Sequence, residues 1–169
     1  QDLEMARTAG DVRRIAADGK LAALLCVEGG HAIEDDLSVL RQFFELGVRY
    51  MTLTWNISNN WADSSTETPR HHGLTDFGRK VVWEMNRLGM MVDISHVSEE
   101  TFWAALEASS RPVIASHSSA RALCDHPRNL TDDQIRAIGD TGGVVCVTFV
   151  PAFISQAYRE AGQALRERK

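Results

Sequence analysis

Apolar and polar positions alternate along this chain in blocks rather than singly. Five apolar runs stand out: Leu21–Val27 (LAALLCV), Val48–Thr54 (VRYMTLT), Gly89–Ser95 (GMMVDIS), Pro112–Ser116 (PVIAS) and Gly142–Val150 (GGVVCVTFV). Most lack strict alternation, which is the pattern of strands covered on both faces. Between them the period changes to that of helices. Leu37, Leu40 and Phe44 form one apolar stripe, stopped by Gly47. Thr75 can cap a helix carrying Val81, Val82, Met85 and Leu88, and Gly89 ends it. Ser98 precedes Phe102, Ala105 and Leu106, and Thr131–Gln134 has the capping-box pattern ahead of Ile135 and Ile138. The opening QDLEMARTAGDVRR reads as a polar helix, and a last polar helix runs from about Ser155. Helix and strand therefore alternate throughout, which predicts an α/β fold with a parallel sheet and helical crossovers.

Composition narrows the function classes. The 169 residues are 44% hydrophobic and 24% charged, with a net charge of -5, and neither a linker-like break nor a low-complexity tract divides them. A single domain, 1–169, is expected. No basic run and no aromatic–basic interleaving points to nucleic acid. No apolar run approaches the ~18 residues of a membrane span, and the polar opening has no signal-peptide core. Cys26, Cys124 and Cys146 are odd in number and widely spaced, so they read as reduced thiols, with Cys26 and Cys146 packed inside strands. Reduced thiols favour a cytoplasmic location.

The chemistry collects at the strand ends. In parallel α/β folds ligands bind at the carboxyl ends of the strands. Glu28 follows LAALLCV, His96 follows MMVDIS, and His117 follows PVIAS. Two imidazoles and a carboxylate on one rim make a plausible metal set, for zinc, manganese, iron or nickel; any one of these histidines alone would read as an ordinary hydrogen-bonded residue. Gly29 and Gly30 either allow close backbone approach or form a plain turn. His31 is read as solvent-facing or as a neighbour of the site, and His71 and His72 as exposed. Asp93 is read as a buried hydrogen-bonder. The triplet Asp76–Gly78 (DFG) opens a helix and lacks the rest of the kinase motif set, so it carries no magnesium chemistry. Arg128, placed after a short helix near the rim, is either a surface arginine or a guanidinium fork for a substrate carboxylate. The long polar connection Asn56–Gly73 follows a strand and lies on the same side of the sheet, where such loops carry function.

The motifs VEGGHAI, RYMTLTWN…NNWADS, GLTDFGRKVVWEMNRLGMMVDISHVS, PVIASHSSARALCDHPRNLTDDQIRAI and GGVVCVTF together resemble the membrane dipeptidase (renal dipeptidase-like) family, with the general look of a bacterial member. The resemblance runs from about Lys20 to Phe153. It implies a (β/α)8 TIM barrel of metal-dependent hydrolase type, of which this chain covers about five central βα units. It implies two zinc ions and hydrolysis of dipeptides by a metal-bridging hydroxide. Carried over by motif, Glu28 bridges both metals, His96 and His117 bind one of them, and Arg128 holds the substrate's carboxylate. A homodimer is the expected assembly.

Some family features have no counterpart. No H-x-D pair, which supplies the other zinc's ligands, occurs in the chain, nor does the D-F-D-G-like segment with the catalytic aspartate. The chain therefore resembles the middle of a longer enzyme, since five strands do not close an eight-stranded barrel. Trp55 stands where better-known members have a histidine that steadies the tetrahedral intermediate. Phe153 stands where they have a tyrosine that helps bind the carboxylate. Both are expected in the substrate site, with altered preference. The alternatives are another binuclear amidohydrolase, acting on lactams, lactones or N-acyl amino acids, and a non-catalytic truncated copy.

Overall fold

A computed structural model describes residues 2–167 of the chain. Its elements are β1 (Leu3–Met5), α1 (Ala9–Ala17), β2 (Leu21–Ala23), β3 (Leu25–Glu28), α2 (Leu37–Leu46), β4 (Val48–Thr52), α3 (Asp76–Leu88), β5 (Met91–Asp93), α4 (Glu99–Ala108), β6 (Ile114–Ser118), α5 (Asp132–Asp140), β7 (Val144–Val147), α6 (Pro151–Ile154) and α7 (Gln156–Glu167). Strands β3 to β7 form a parallel sheet in their sequence order, and β1 pairs with β2 in a separate parallel pair. Parallel neighbours in sequence order, joined by helices, are what consecutive βα units of a (β/α)8 barrel give.

The helices start and stop where the caps predict. Thr75, Ser98 and Thr131 each accept a backbone N–H of the first turn, and Thr131 completes its capping box with Gln134. Gly47 and Gly89 end α2 and α3 in the left-handed conformation. DFG does no more than open α3.

Two expectations fail near the amino end. The run Leu21–Val27 is not one strand: it breaks at Leu24, so that β2 pairs with β1 and β3 with β4. The opening segment is not wholly helical either. Leu3, Glu4 and Met5 pair in register with Leu21, Ala22 and Ala23, and the helix begins only after Thr8, whose capping box with Asp11 fixes its start. A partner strand distant in sequence overrode the local polar pattern. β4, β5 and β7 are shorter than their apolar runs, and β6 is shifted two residues onward from its run, ending at Ser118.

The core lies between the sheet and helices α2–α5. Met51, Leu53, Val92, Ile94 and Ala115 point into it, packed with Leu40, Val81, Met85, Phe102 and Ile138. The alternate positions Thr52, Asp93 and Ser116 point to the other face and hydrogen-bond across strands. The polar members of these apolar strands thus share one face, the one that carries the site.

The cysteines are free thiols, but the packing expectation is reversed: Cys26 and Cys146 are exposed, and Cys124, outside any strand, is buried. No helix among the described residues is long and apolar enough to cross a membrane.

One ion-pair cluster ties α3 to α2. Glu84, whose side chain is 10% exposed, accepts from Arg87 and from Arg41. The Arg87 hydrogen bond foremost, and Arg41 with it, hold the Glu84 carboxyl at about 2, against burial. The folded state therefore favours the charged form. The stabilisation is complete above the ordinary pKa of 4.5 and is lost as pH falls toward about 2. Because both guanidiniums are about half exposed or more, we expect of order 1 kcal/mol. Urea unfolding at pH 5 and pH 3 should show Glu84→Gln losing less stability than the parent by about that amount; an equal loss in both proteins would refute the assignment.

Candidate metal centre

Three elements deliver the site. Glu28 is the last residue of β3, and Gly29 turns the chain with φ +117°. A side chain at Gly30 would strike the Trp61 ring and approach the Leu53 carbonyl oxygen to 2.6 Å. The glycine pair therefore serves both readings, a turn at Gly29 and close packing at Gly30. Gly30→Ala should destabilise the fold by about 2–3 kcal/mol, since neither the buried indole nor the backbone can yield; a denaturation midpoint matching the parent would count against this packing.

His96 lies beyond β5 in the left-handed conformation, φ +72°, rare for a residue with a side chain. The long connection holds it there. Its carbonyl accepts from the Ser65 N–H at 2.8 Å, and Ser64 Oγ, 3.3 Å away, also donates to Trp55 O. Asp63 in turn organises the loop by accepting the backbone N–H groups of Arg70, His71 and Gly73. Burial raises its pKa, but those hydrogen bonds outweigh burial and lower it. The loop thus functions as a clasp on the β5–α4 turn. His71, expected to be exposed, is half-buried inside it, with Nε2 3.0 Å from Asn59 O, whereas His72 is exposed.

His117 is inside β6 rather than past its end. Its N–H donates to Ser95 Oγ at 3.0 Å, and its Nδ1 lies 2.7 Å from Ser116 Oγ.

These placements bring the three predicted residues together. His96 Nε2 is 2.8 Å from His117 Nε2, and Glu28 Oε1 is 3.0 and 3.1 Å from the two nitrogens. Their donor atoms form a group able to hold a metal ion. Zinc–ligand bonds of about 2.0–2.2 Å in tetrahedral geometry set neighbouring donor atoms about 3.3–3.6 Å apart; the three donor atoms here lie 2.8–3.1 Å apart, a few tenths of an ångström closer. The chemistry fits as well. Burial first, then Arg128 and His117, push the His96 imidazole down to about 3, so it is neutral at neutral pH, the charge state a metal ligand needs.

Arg128 is no surface arginine, nor does it follow a helix: it lies among turns and is only 7% exposed. One terminal nitrogen donates to the His117 carbonyl at 3.2 Å, and its buried Nε has no partner. Burial pulls its guanidinium down to about 10, against the attraction of Glu28 and Asp93, so it stays cationic. It stands 5.4 Å from the centroid of the Phe153 ring, which stacks on His126 at 4.1 Å. Trp55 is 41% exposed, its ring 6.5 Å from that of His96. His31 is exposed and folds back over Gly29. The contribution of Ser116 escaped the sequence reading. Its signal was a hydroxyl on the polar face of a strand, beside a candidate ligand.

The family model described as membrane dipeptidase (peptidase family M19) matches residues 1–166. Dipeptidase 3 of Mus musculus is 52% identical over 144 residues, 79% of this chain and 29% of that protein. Dipeptidase tcpJ of Claviceps purpurea is 49% identical over 150 residues, 88% of this chain and 35% of that one. Among solved structures, the probable dipeptidase PvdM of Pseudomonas aeruginosa superposes with a TM-score of 0.89 at 33% identity, covering 99% of this chain and 44% of that one. A metallo peptidase of Rhodobacter sphaeroides, liganded with a phosphinate mimic of the dipeptide L-Ala-D-Ala, gives a TM-score of 0.85 at 34% identity, covering 92% and 46%. The chain spans about a third of the length of the curated relatives and under half of the solved ones. By the extent of these matches and by its α/β fold of parallel strands, the chain belongs to the membrane dipeptidase family, peptidase family M19.

Proposed function

We propose that this chain carries part of the active site of a zinc-dependent dipeptidase. The observation that carries the reading is the convergence of Glu28 Oε1, His96 Nε2 and His117 Nε2 at the carboxyl end of the sheet. His96 and His117 would hold one zinc ion, and Glu28 would bridge it to a second. Bound zinc supplies an activated water and an electrophile for the scissile carbonyl.

The chain's own residues do the rest. The Ser65 N–H, bonded to the His96 carbonyl, helps keep His96 in its uncommon backbone conformation, and β6 holds His117 opposite. Arg128, cationic and with an unpartnered Nε, would receive the free carboxylate of the substrate, fixing which amide bond reaches the site. Phe153 packs beside it, while Trp55 would form an apolar wall next to His96. The phosphinate dipeptide mimic held by the Rhodobacter relative supports a dipeptide as substrate.

The test is elemental analysis of the purified protein together with hydrolysis of a simple dipeptide. Bound zinc is the expected result, with turnover where the second metal's ligands and the proton donor are also supplied. A protein that takes up no divalent metal at neutral pH would overturn the reading.

A further inference from the structure

We propose that Asp93 and Ser116 fix the ring tautomer of His117, so that its Nε2 presents a lone pair toward Glu28 and His96 before any ion arrives. Asp93 is a positioning residue here, acting through Ser116. Its relevance to metal binding rests on the function proposed above, but the tautomer itself does not.

Counting protons fixes the tautomer. Asp93 is wholly buried, and four donors are directed at it. The Ser95 and Ser116 N–H groups donate to Oδ1 at 3.0 and 2.9 Å. The Thr52 and Ser116 hydroxyls donate to Oδ2 at 2.9 and 2.5 Å. With both oxygens so occupied, the carboxylate acts only as an acceptor. The short Ser116–Asp93 contact therefore consumes the one proton that Ser116 has. Ser116 Oγ is also 2.7 Å from His117 Nδ1. That second contact is a hydrogen bond only if the ring nitrogen is the donor. His117 thus carries its proton on Nδ1, and Nε2 is left bare.

The same count settles His96. Its Nε2 lies 2.8 Å from the bare His117 Nε2 and 3.0 Å from Glu28 Oε1, both acceptors, and its buried Nδ1 has no partner. His96 therefore holds its proton on Nε2. The two rings are in opposite tautomers. His117 is ready to bind an ion, whereas His96 must first move its proton to a nitrogen that has no acceptor among the described residues. A ligand histidine is ordinarily oriented by a carboxylate, carbonyl or water on its other nitrogen; in this site a serine relays a carboxylate to one histidine and no described residue serves the other.

The experiment is long-range nitrogen–proton NMR of the metal-free protein, labelled with 15N-histidine, at a pH where both rings are neutral. The His117 and His96 signals are assigned by their loss in His117→Gln and His96→Gln. The expected result is a protonated Nδ1 and bare Nε2 for His117, and the reverse for His96. Ser116→Ala should return His117 toward the Nε2-protonated form and weaken zinc about 10- to 100-fold, the range for partners of ligand histidines, while Ser116→Thr keeps both properties. A parent protein whose His117 carries its proton on Nε2 overturns the proposal, and this needs no variant to fold. A folded Ser116→Ala protein with an unchanged His117 spectrum overturns it too. If the spectra are as stated but zinc does not bind, the relay stands and the metal reading falls.

Discussion

His117→Ala should lose bound zinc and dipeptide hydrolysis together. Metal content of the purified protein and turnover, measured on the same sample, check this. The expectation follows from how few donors the chain brings to the site: among the described residues the cluster is Glu28, His96 and His117. Outer partners of ligand histidines are worth about 10- to 100-fold in affinity or activity, so removing a ligand should cost at least about 100-fold in each. His117 is the cleaner target because its side chain is one-third exposed, whereas that of His96 is 4% exposed. Truncating His96 would also leave a buried cavity and an alanine with φ near +72°. His96→Ala should therefore lower the unfolding midpoint as well as the metal content. Full zinc occupancy with unchanged turnover in folded His117→Ala would remove this residue from the site.

The three ligand candidates were legible because their positions follow from topology. Once the apolar runs are read as parallel strands, the first polar side chains at their carboxyl ends share a rim, whatever the helices do. Glu28 ends β3, His96 follows β5 and His117 lies one residue before the end of β6, and the structure brings their donor atoms within 3.1 Å of one another. The helix ends were legible for a similar reason: a capping threonine or serine and a left-handed glycine act within one turn. What could not be read depends on partners distant in sequence. Leu21–Val27 looks continuous, and only its two different neighbours, β1 and β4, divide it at Leu24. Leu3–Met5 is too short to carry a strand signal of its own. Cys26 and Cys146 are in strands as read, but their exposure depends on which sheet face they take. The hold of the Ser65 N–H on the His96 carbonyl spans some thirty residues, a separation at which spacing carries no information.

Arg128→Ala should cut kcat/KM for dipeptides with a free carboxylate while leaving their carboxyl-amidated counterparts within about threefold. The guanidinium is almost fully buried, so its charge is poorly screened, and its Nε is a donor without a partner among the described residues. A substrate carboxylate would supply the missing acceptor. Hydrogen bonds to charged groups contribute about 1.5–3 kcal/mol each, which sets the expected loss at roughly 10- to 150-fold per bond. Lysine does not reproduce the fork, so Arg128→Lys should recover only part of the loss. A purely structural role predicts something else. Arg128 also donates to the His117 carbonyl and lies by the Phe153 ring, and if those contacts were its whole contribution, both substrate series would fall equally and zinc content would fall with them. Comparing free with amidated dipeptides, at measured zinc occupancy, therefore separates recognition from support. Equal losses would leave Arg128 as a brace for the His117 strand end, and the choice of a free carboxylate would have to come from another residue.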